Sequence, residues 1–381
     1  PELPEILAYL DALESRVVGQ VLERIRIRTP SLLRTFDPRV SELEGRRVTG
    51  VRRVGKRVVL ELEGEFFAVI HLMVSGRFQW KEAGVRIPKK RAHAAFDFSS
   101  GTLLLTEAST HKRASLHCVQ GEEALSRLDP GGVEPLEVGL DEFRDALLSE
   151  NRTLKRALTD PRILSGIGNA HSDEILLEAG LSPVRRTRQL ADQELERLFH
   201  ATRRSLTAWT ARLREEFGTD FPKKITAFHP KMMAHGKFGQ PCPRCGSPIQ
   251  RIVYGDRETN YCPTCQTGGK LLKDRALSRL LREDWPQSLD ELEEGLERAG
   301  DPDPTGSVVV LVRFRRPAAS SSPSGAATTP LPPATSGVRP SFFSVRFHLV
   351  DGPFQDLAHT CDAFRFGAPL ESLIERQLCQ S

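Results

Sequence analysis

No run of about 18 apolar residues occurs in the chain, so no membrane-spanning helix is expected. No basic leader precedes the first apolar stretch; the chain opens on acids, and no secretion signal is expected. No internal repeat is apparent, and no lysine follows Lys273. Cysteine is scarce and odd in number, seven in 381 residues, and four of them form two CxxC pairs. That excludes a disulfide framework and points to a metal site in a reducing compartment. Neither sign of charge dominates: the formal balance is +4, which permits nucleic-acid binding without demonstrating it. The length allows two or three compact domains.

The chain begins Pro1-Glu2-Leu3-Pro4-Glu5. A leading proline implies removal of an initiator Met and leaves a secondary amine. An α-amino group titrates near pH ~8, so a useful fraction is neutral and nucleophilic at neutral pH. A secondary amine condenses with an aldehyde carbon to an iminium without losing a further proton. Pro4 suits the first turn of a helix, and Leu3, Ile6, Leu7, Leu10 and Leu13 recur at helical spacing. The amine would then precede a helix N-terminus, whose dipole disfavours the protonated form. Glu2 could move protons, and Glu5 is favoured in the first turn. The same five residues also suit a plain N-terminal cap.

Short runs rich in β-branched residues follow. Strands are expected at Val17–Ile27, Val48–Val54, Arg57–Leu62, Phe66–Leu72, Ala94–Phe98 and Leu103–Thr106, which predicts an antiparallel β-sandwich or barrel carrying the first helix. Lys56, after Gly55, could reach a phosphate or a reacting centre, or be a solvated strand lysine. His93 precedes a strand and reads as structural unless other context intervenes. Met73 and Val74 lie at a loop tip, where apolar side chains can wedge between bases; a core Met reads as well. His111, Lys112 and Arg113 sit in a polar loop, either phosphate-contacting or solvated.

Composition changes near residue 130, where a domain boundary is placed. Helices are expected at Leu140–Ser149, Thr153–Leu158, Pro161–Leu164, Ala170–Ala179 and Asp192–Glu216. Asp160-Pro161 reads as a helix cap. Gly166 and Gly168 read as a tight turn, with Asn169 capping the helix that carries Asp173 and Glu174. Such a turn can hold a phosphate on backbone N–H groups and the Asn amide, with Lys155 in reach.

Cys242-x-x-Cys245, sixteen residues, then Cys262-x-x-Cys265 is a strong signal for a four-cysteine zinc site. Gln250–Tyr254 and Glu258–Tyr261 read as a hairpin between the knuckles, turning at Gly255-Asp256 with Arg257 at or beside its tip. An Arg held there could clamp a phosphate. A basic helix over Lys270–Arg282 and an acidic one over Asp290–Ala299 would close the folded core. Pro317–Pro340 is dominated by Pro, Ala, Ser and Thr and reads as a disordered linker. Val308–Phe314 and Phe342–Val350 read as short strands, Pro369–Leu378 as a helix, and Cys361 and Cys379 as free thiols.

Taken in order, these motifs resemble the bacterial formamidopyrimidine-DNA glycosylases, within the wider family that includes endonuclease VIII, over roughly residues 1 to 275. The resemblance implies an α+β architecture: an N-terminal β-sandwich with a leading helix (1–130), a helix–two-turn–helix domain (131–230) and a C-terminal four-cysteine zinc-finger hairpin (231–275); beyond it the residues themselves suggest a helical tail (276–300) and a Pro/Ser/Ala-rich, largely disordered extension (301–381) outside the family pattern. It implies a bifunctional DNA glycosylase and abasic-site lyase of base excision repair, with one structural Zn2+ and damaged duplex DNA as partner. It further implies a monomer without nucleotide cofactor or membrane, in the bacterial cytoplasm. Pro1 would be the Schiff-base nucleophile, Glu2 the acid/base, Lys56 the residue near the lesion, and Arg257 the clamp on the flanking phosphates. His93, Lys155, Asn169, Met73 and Arg113 would contact DNA. Leu3 favours the oxidised-purine branch. HLMVSG stands where the family has HLGMSG, and Glu107–Ser115 replaces its DPRRFG loop. Two rivals follow: a lyase active only on abasic sites, and a non-catalytic DNA-binding protein.

Overall fold

The computed structural model describes residues 1–223, 225–226, 228–254, 257–273, 286–289 and 291, with the backbone of 307–311 and 344–348. The chain forms two compact units, Pro1–Glu293 and Glu294–Ser381.

Helix α1, Leu3–Val17, opens the first unit and is followed by β1 (Val21–Leu22), β2 (Arg24–Ile27) and the short α2 (Val40–Leu43). The sandwich continues with β3 (Arg46–Val54), β4 (Arg57–Leu62), β5 (Phe66–His71), β6 (Gly76–Lys81), β7 (Ala92–Phe98), β8 (Gly101–Glu107) and β9 (Ser115–Gln120). One sheet has the order β1-β3-β4-β5-β9 and the other β2-β7-β8-β6, and neighbouring strands pair antiparallel throughout. Side chains on a strand alternate faces, and β4 uses both. Val58, Leu60 and Leu62 enter the central core, while Val59 joins Phe67, Val69, Val119 and Leu125 on the opposite face. The central core also takes Phe78, Phe96 and Leu105 from the second sheet and Ile6, Tyr9 and Leu13 from α1. Val17–Ile27 is not one strand. Val17 ends α1, and the chain reverses at Gly19 (φ 81°) before two short strands.

Next come α3 (Glu122–Ser126), α4 (Leu140–Leu148), α5 (Leu154–Thr159), α6 (Asn169–Ala179) and the long α7 (Asp192–Phe217). Their core gathers Phe143, Leu154, Leu158, Ile175, Leu198 and Leu206. Leu3 of α1 belongs to this second core, so α1 is shared between the sandwich and the helices. Pro161–Leu164 is a turn rather than a helix. Asp160 does not cap a new helix: it ends α5 in an extended conformation (ψ 115°), the geometry favoured before proline, and its carboxylate pairs with Arg152 and Arg162.

The unit closes with β10 (Gln250–Tyr254), β11 (Arg257–Tyr261) and α8 (Pro263–Thr267). Gly255 and Asp256, expected to turn this hairpin, lie outside the described residues. Lys270–Lys273 is not helical, and Lys270 bridges to Ser288; the rest of that expected basic helix lies outside the described residues. So do the acidic helix over Asp290–Ala299 (all but Glu291), the linker Pro317–Pro340, the helix Pro369–Leu378, Cys361 and Cys379. In the second unit β12 (Ser307–Leu311) pairs antiparallel with β13 (Ser344–His348), from Ser307 opposite His348 to Leu311 opposite Ser344.

Two glycines permit α1 to dock on the helical core. Gly166 accepts the Leu3 N–H on its carbonyl at 2.8 Å, has φ 79°, and a Cβ there would lie 2.8 Å from Leu3 Cβ. A Cβ at Gly168 would meet the Glu2 carboxyl carbon at 2.5 Å. Gly166→Ala is therefore expected to cost about 1–3 kcal/mol from the left-handed backbone and the displaced helix. Urea unfolding checks this; an unchanged midpoint would mean that α1 docks without needing the close approach.

Candidate active site and metal centre

The N-terminal end of α1 lies where the two cores meet. Glu2 precedes the helix and is buried. Its carboxylate accepts the backbone N–H groups of Gly168 (2.7 Å), Ala170 (2.8 Å) and His171 (3.1 Å). These are the free donors at the start of α6, which attract an anion. The sequence suggests an external phosphate there; the structure fills the position with Glu2. Gly168, not Asn169, is the N-cap, and Asn169 begins the helix.

Glu5, one turn on, accepts the Glu2 N–H at 2.6 Å and binds His171 Nε2 at 3.0 Å. Burial alone would raise its carboxyl, but the His171 ring outweighs that and brings it down to about 2. Burial would likewise lower His171, and Glu5 reverses this and lifts it to about 9. The Pro1 amine is pushed below its ordinary value by burial, against the pull of Glu5 and Glu2 and with help from Arg77 and Lys56. Lys56 sits in the β3–β4 turn, donates to the Ile167 carbonyl at 2.8 Å, and is lowered first by burial and also by Arg257. His71, at the end of β5, is pushed down to about 4 by burial, Arg57, Lys56 and the Pro1 amine. A desolvated amine thus sits among carboxylates and cations, and more of it is neutral at neutral pH than in a free N-terminus.

The structure brings Pro1, Glu2, Lys56 and Arg257 into one electrostatic neighbourhood. It adds Glu5, His71, Arg77 and His171 to it. His71 and Arg77 bound the HLMVSGR segment, but only their strand-end positions could have flagged them. His171 carries no sequence signal of its own. Arg257 is exposed at the start of β11, opposite Tyr254.

Other expected residues are occupied within the fold. Lys155 is mostly buried and donates to Asp173 (2.5 Å) and to the Asn169 carbonyl (2.6 Å). Asn169 Nδ2 donates to the Glu258 carbonyl at 2.8 Å, joining α6 to the hairpin. His93 is buried, 3.4 Å from Glu107. Glu107 in turn accepts the N–H groups of Arg113 and Ala114 (3.1 and 3.2 Å) and the Ser75 hydroxyl (3.3 Å). This buried carboxylate therefore ties the Met73–Ser75 loop to the Arg113 loop. The Arg113 side chain is exposed, Met73 is partly buried at φ 54°, and Val74 is 76% exposed.

Cys242, Cys245, Cys262 and Cys265 place their Sγ atoms within 4.8 Å of one another. Tetrahedral zinc with Zn–S bonds of about 2.3 Å needs S–S edges of about 3.8 Å, so small adjustments complete the shell. Soft thiolates in a four-cysteine set suit zinc. The finger is bolted to α6. Glu174, fully buried, accepts the N–H groups of Met233, Ala234 and His235. Asp173 binds His235 Nδ1 at 2.8 Å, and Arg244 donates to the Leu177 carbonyl at 2.6 Å.

Three family models match the chain in order: the formamidopyrimidine-DNA glycosylase N-terminal domain over residues 1–113, the H2TH domain of the same glycosylase over 132–212, and the zinc finger found in FPG and IleRS over 239–268. A formamidopyrimidine-DNA glycosylase of Heliobacterium modesticaldum is 32% identical over 280 residues, covering 70% of this chain and 99% of its own. The chain belongs to the formamidopyrimidine-DNA glycosylase family. Among solved structures it is similar to MutM (Fpg) of Thermus thermophilus, with 32% identity, a TM-score of 0.60, and 70% of this chain and 98% of that one covered. Lactococcus lactis Fpg bound to AP-site DNA gives 26% identity, a TM-score of 0.61, and coverage of 70% and 100%. Fold class, family and the zinc-finger ligand set thus agree with the sequence reading. Among the described residues no helix is long and apolar enough to cross a membrane.

Cys262→Ser is expected to abolish zinc retention. Metal analysis should fall from about one ion per chain to none, and the melting temperature should drop because binding and folding of such a finger are coupled. Full zinc in the variant would exclude Cys262 from the shell.

Proposed function

We infer that this chain is a bifunctional DNA glycosylase and abasic-site lyase of base excision repair, acting through Pro1 on oxidised purines such as 8-oxoguanine or formamidopyrimidine. The observation that carries the reading is the partly buried Pro1 amine, lowered by desolvation and set beside Glu2, with Lys56 acting on it and Arg257 acting on Lys56. The relatives' shared name and the AP-site DNA held by the Lactococcus lactis enzyme support it. The protein acts as a monomer on damaged duplex DNA, in the bacterial cytoplasm, without a nucleotide cofactor.

A base cannot react while stacked, so the damaged nucleotide is flipped out toward the amine. The Pro1 nitrogen lone pair forms a bond to C1′ as the C1′–base bond breaks, and the base leaves with a proton. Protonation of O4′ opens the sugar and leaves an iminium between Pro1 and C1′. The iminium acidifies C2′. Loss of that proton expels the 3′ phosphate, a second elimination expels the 5′ phosphate, and water frees the amine. Glu2, held by three N–H donors, is the proton carrier nearest Pro1 in sequence. Lys56 faces the lesion and its phosphate, and Arg257 holds the flanking backbone. The four cysteines hold zinc as a structural staple that presents the hairpin.

Borohydride trapping on duplexes carrying 8-oxoguanine, an oxidised pyrimidine, a bare abasic site or no damage tests the reading. An adduct mapped to Pro1 on the 8-oxoguanine duplex is expected. Adduct on the abasic site alone would reduce the protein to a lyase, an outcome that the altered Met73–Val74 loop makes worth resolving. None at all, with binding kept, would make it a DNA-binding protein.

Arg257→Ala should weaken binding across sequences and lower the salt slope by about one unit. Lys155→Met should leave that slope nearly unchanged and lower stability instead, since its ammonium is engaged by buried Asp173. Equal slopes for both variants would move Lys155 onto the DNA or Arg257 off it.

A further inference from the structure

Glu2, Glu5 and His171 close a ring of hydrogen bonds. The Glu2 N–H donates to one Glu5 oxygen (2.6 Å), and the other Glu5 oxygen meets His171 Nε2 (3.0 Å). The His171 N–H then returns to the Glu2 carboxylate (3.1 Å). Glu5 and His171 are 3% and 0% exposed, so both charges are held away from water. His171 Nδ1 has no hydrogen-bond partner among the described residues, and Trp209 packs edge-to-face on the ring with centroids 5.8 Å apart. Glu5 alone therefore provides the polar anchor of the ring.

We propose that His171 is a positioning residue for the Pro1 nucleophile: its ring fixes the Glu5 carboxylate and balances its negative charge beside the amine. The proposal rests on Pro1 being the nucleophile. An unbalanced carboxylate next to the amine would stabilise the ammonium form and remove the lone pair that attacks C1′. The charged groups that act on Pro1 are Glu5, Arg77, Glu2 and Lys56. His71 also feels the amine, and Glu2 and Glu174 act with Glu5 on His171. Burial, with Arg77 and Lys56, lowers the amine, and Glu5 is the strongest charge pulling the other way. Pairing to His171 offsets part of the Glu5 charge that favours the ammonium form; with Glu5 bare that pull acts in full.

The test is the pH dependence of the single-turnover rate of borohydride-trappable adduct on an abasic duplex, using the zinc-loaded full chain. In His171→Gln the acidic limb should move up by about one pH unit, so the rate on that limb falls about tenfold while the alkaline plateau is retained. In Glu5→Gln/His171→Gln, with neither charge present, the limb should return to the wild-type position or below. A uniform loss at every pH in His171→Gln, or a double variant no better than the single one, would overturn the proposal and leave His171 a packing residue. Should the single variant fail to fold, the 15N spectrum of histidine-labelled wild-type protein decides. A His171 ring protonated on both nitrogens at pH 7 supports the charge balance, and a neutral ring overturns it. Absence of wild-type trapping would instead remove Pro1 from the mechanism, and this proposal with it.

Discussion

The contact on which the architecture turns is the Glu2 carboxylate seated on the first turn of α6. Three backbone donors that would otherwise need water or a ligand are satisfied by a residue 166 to 169 positions away in the chain. The contact requires bare backbone at Gly166 and Gly168, since a Cβ at either would strike Leu3 or Glu2. It also fixes where the chain begins. Because α1 shares its apolar residues between the sandwich core and the helical core, its start can lie only at their junction. The chain start is thereby held beside Glu2 and Glu5, partly buried at the junction of the two cores.

Helix α6 is the hub around this contact. His171, Ser172, Asp173 and Glu174 are fully buried on it, an expensive arrangement unless each charge is paired. Each is: His171 with Glu5, Asp173 with Lys155 and His235, and Glu174 with three N–H groups of the loop that leads into the finger. One helix thus connects the amine to the metal-stapled hairpin. A similar device occurs at the end of β8, where buried Glu107 joins two loops that the sequence presents as unrelated.

What the sequence by itself determined follows from local rules. A short β-branched apolar run marks Arg57–Leu62 as a strand, and it runs unbroken through Val58, Val59 and Leu60 because each face of that sheet is covered by a different apolar cluster. Helical spacing marks α1, α4 and α7. CxxC spacing marks the metal site because tetrahedral thiolate coordination demands two tight knuckles. The order of PELPE, GKRVVLEL, the Gly-rich turn and the finger marks the family. Strands β6 and β9 escaped, although both are six residues long, because Gly76-Arg77 and Ser115 read as loop ends.

Only the tertiary structure decided who partners whom. Lys155 and Asn169 read as phosphate donors in one dimension; the fold adds internal partners, Asp173 and the Glu258 carbonyl, that no local pattern announces. His171 looks like one polar residue among several, yet folding places it 3.0 Å from Glu5 and beside the chain start. The reason is physical. Helix and strand patterns arise from neighbours within a few residues, so a sequence displays them directly. The ionisation of a buried group and the partner of a donor arise from residues beyond the local pattern, 18 positions away for Lys155 and Asp173, 89 for Asn169 and Glu258 and 166 for His171 and Glu5, and those distances exist only once the cores have closed.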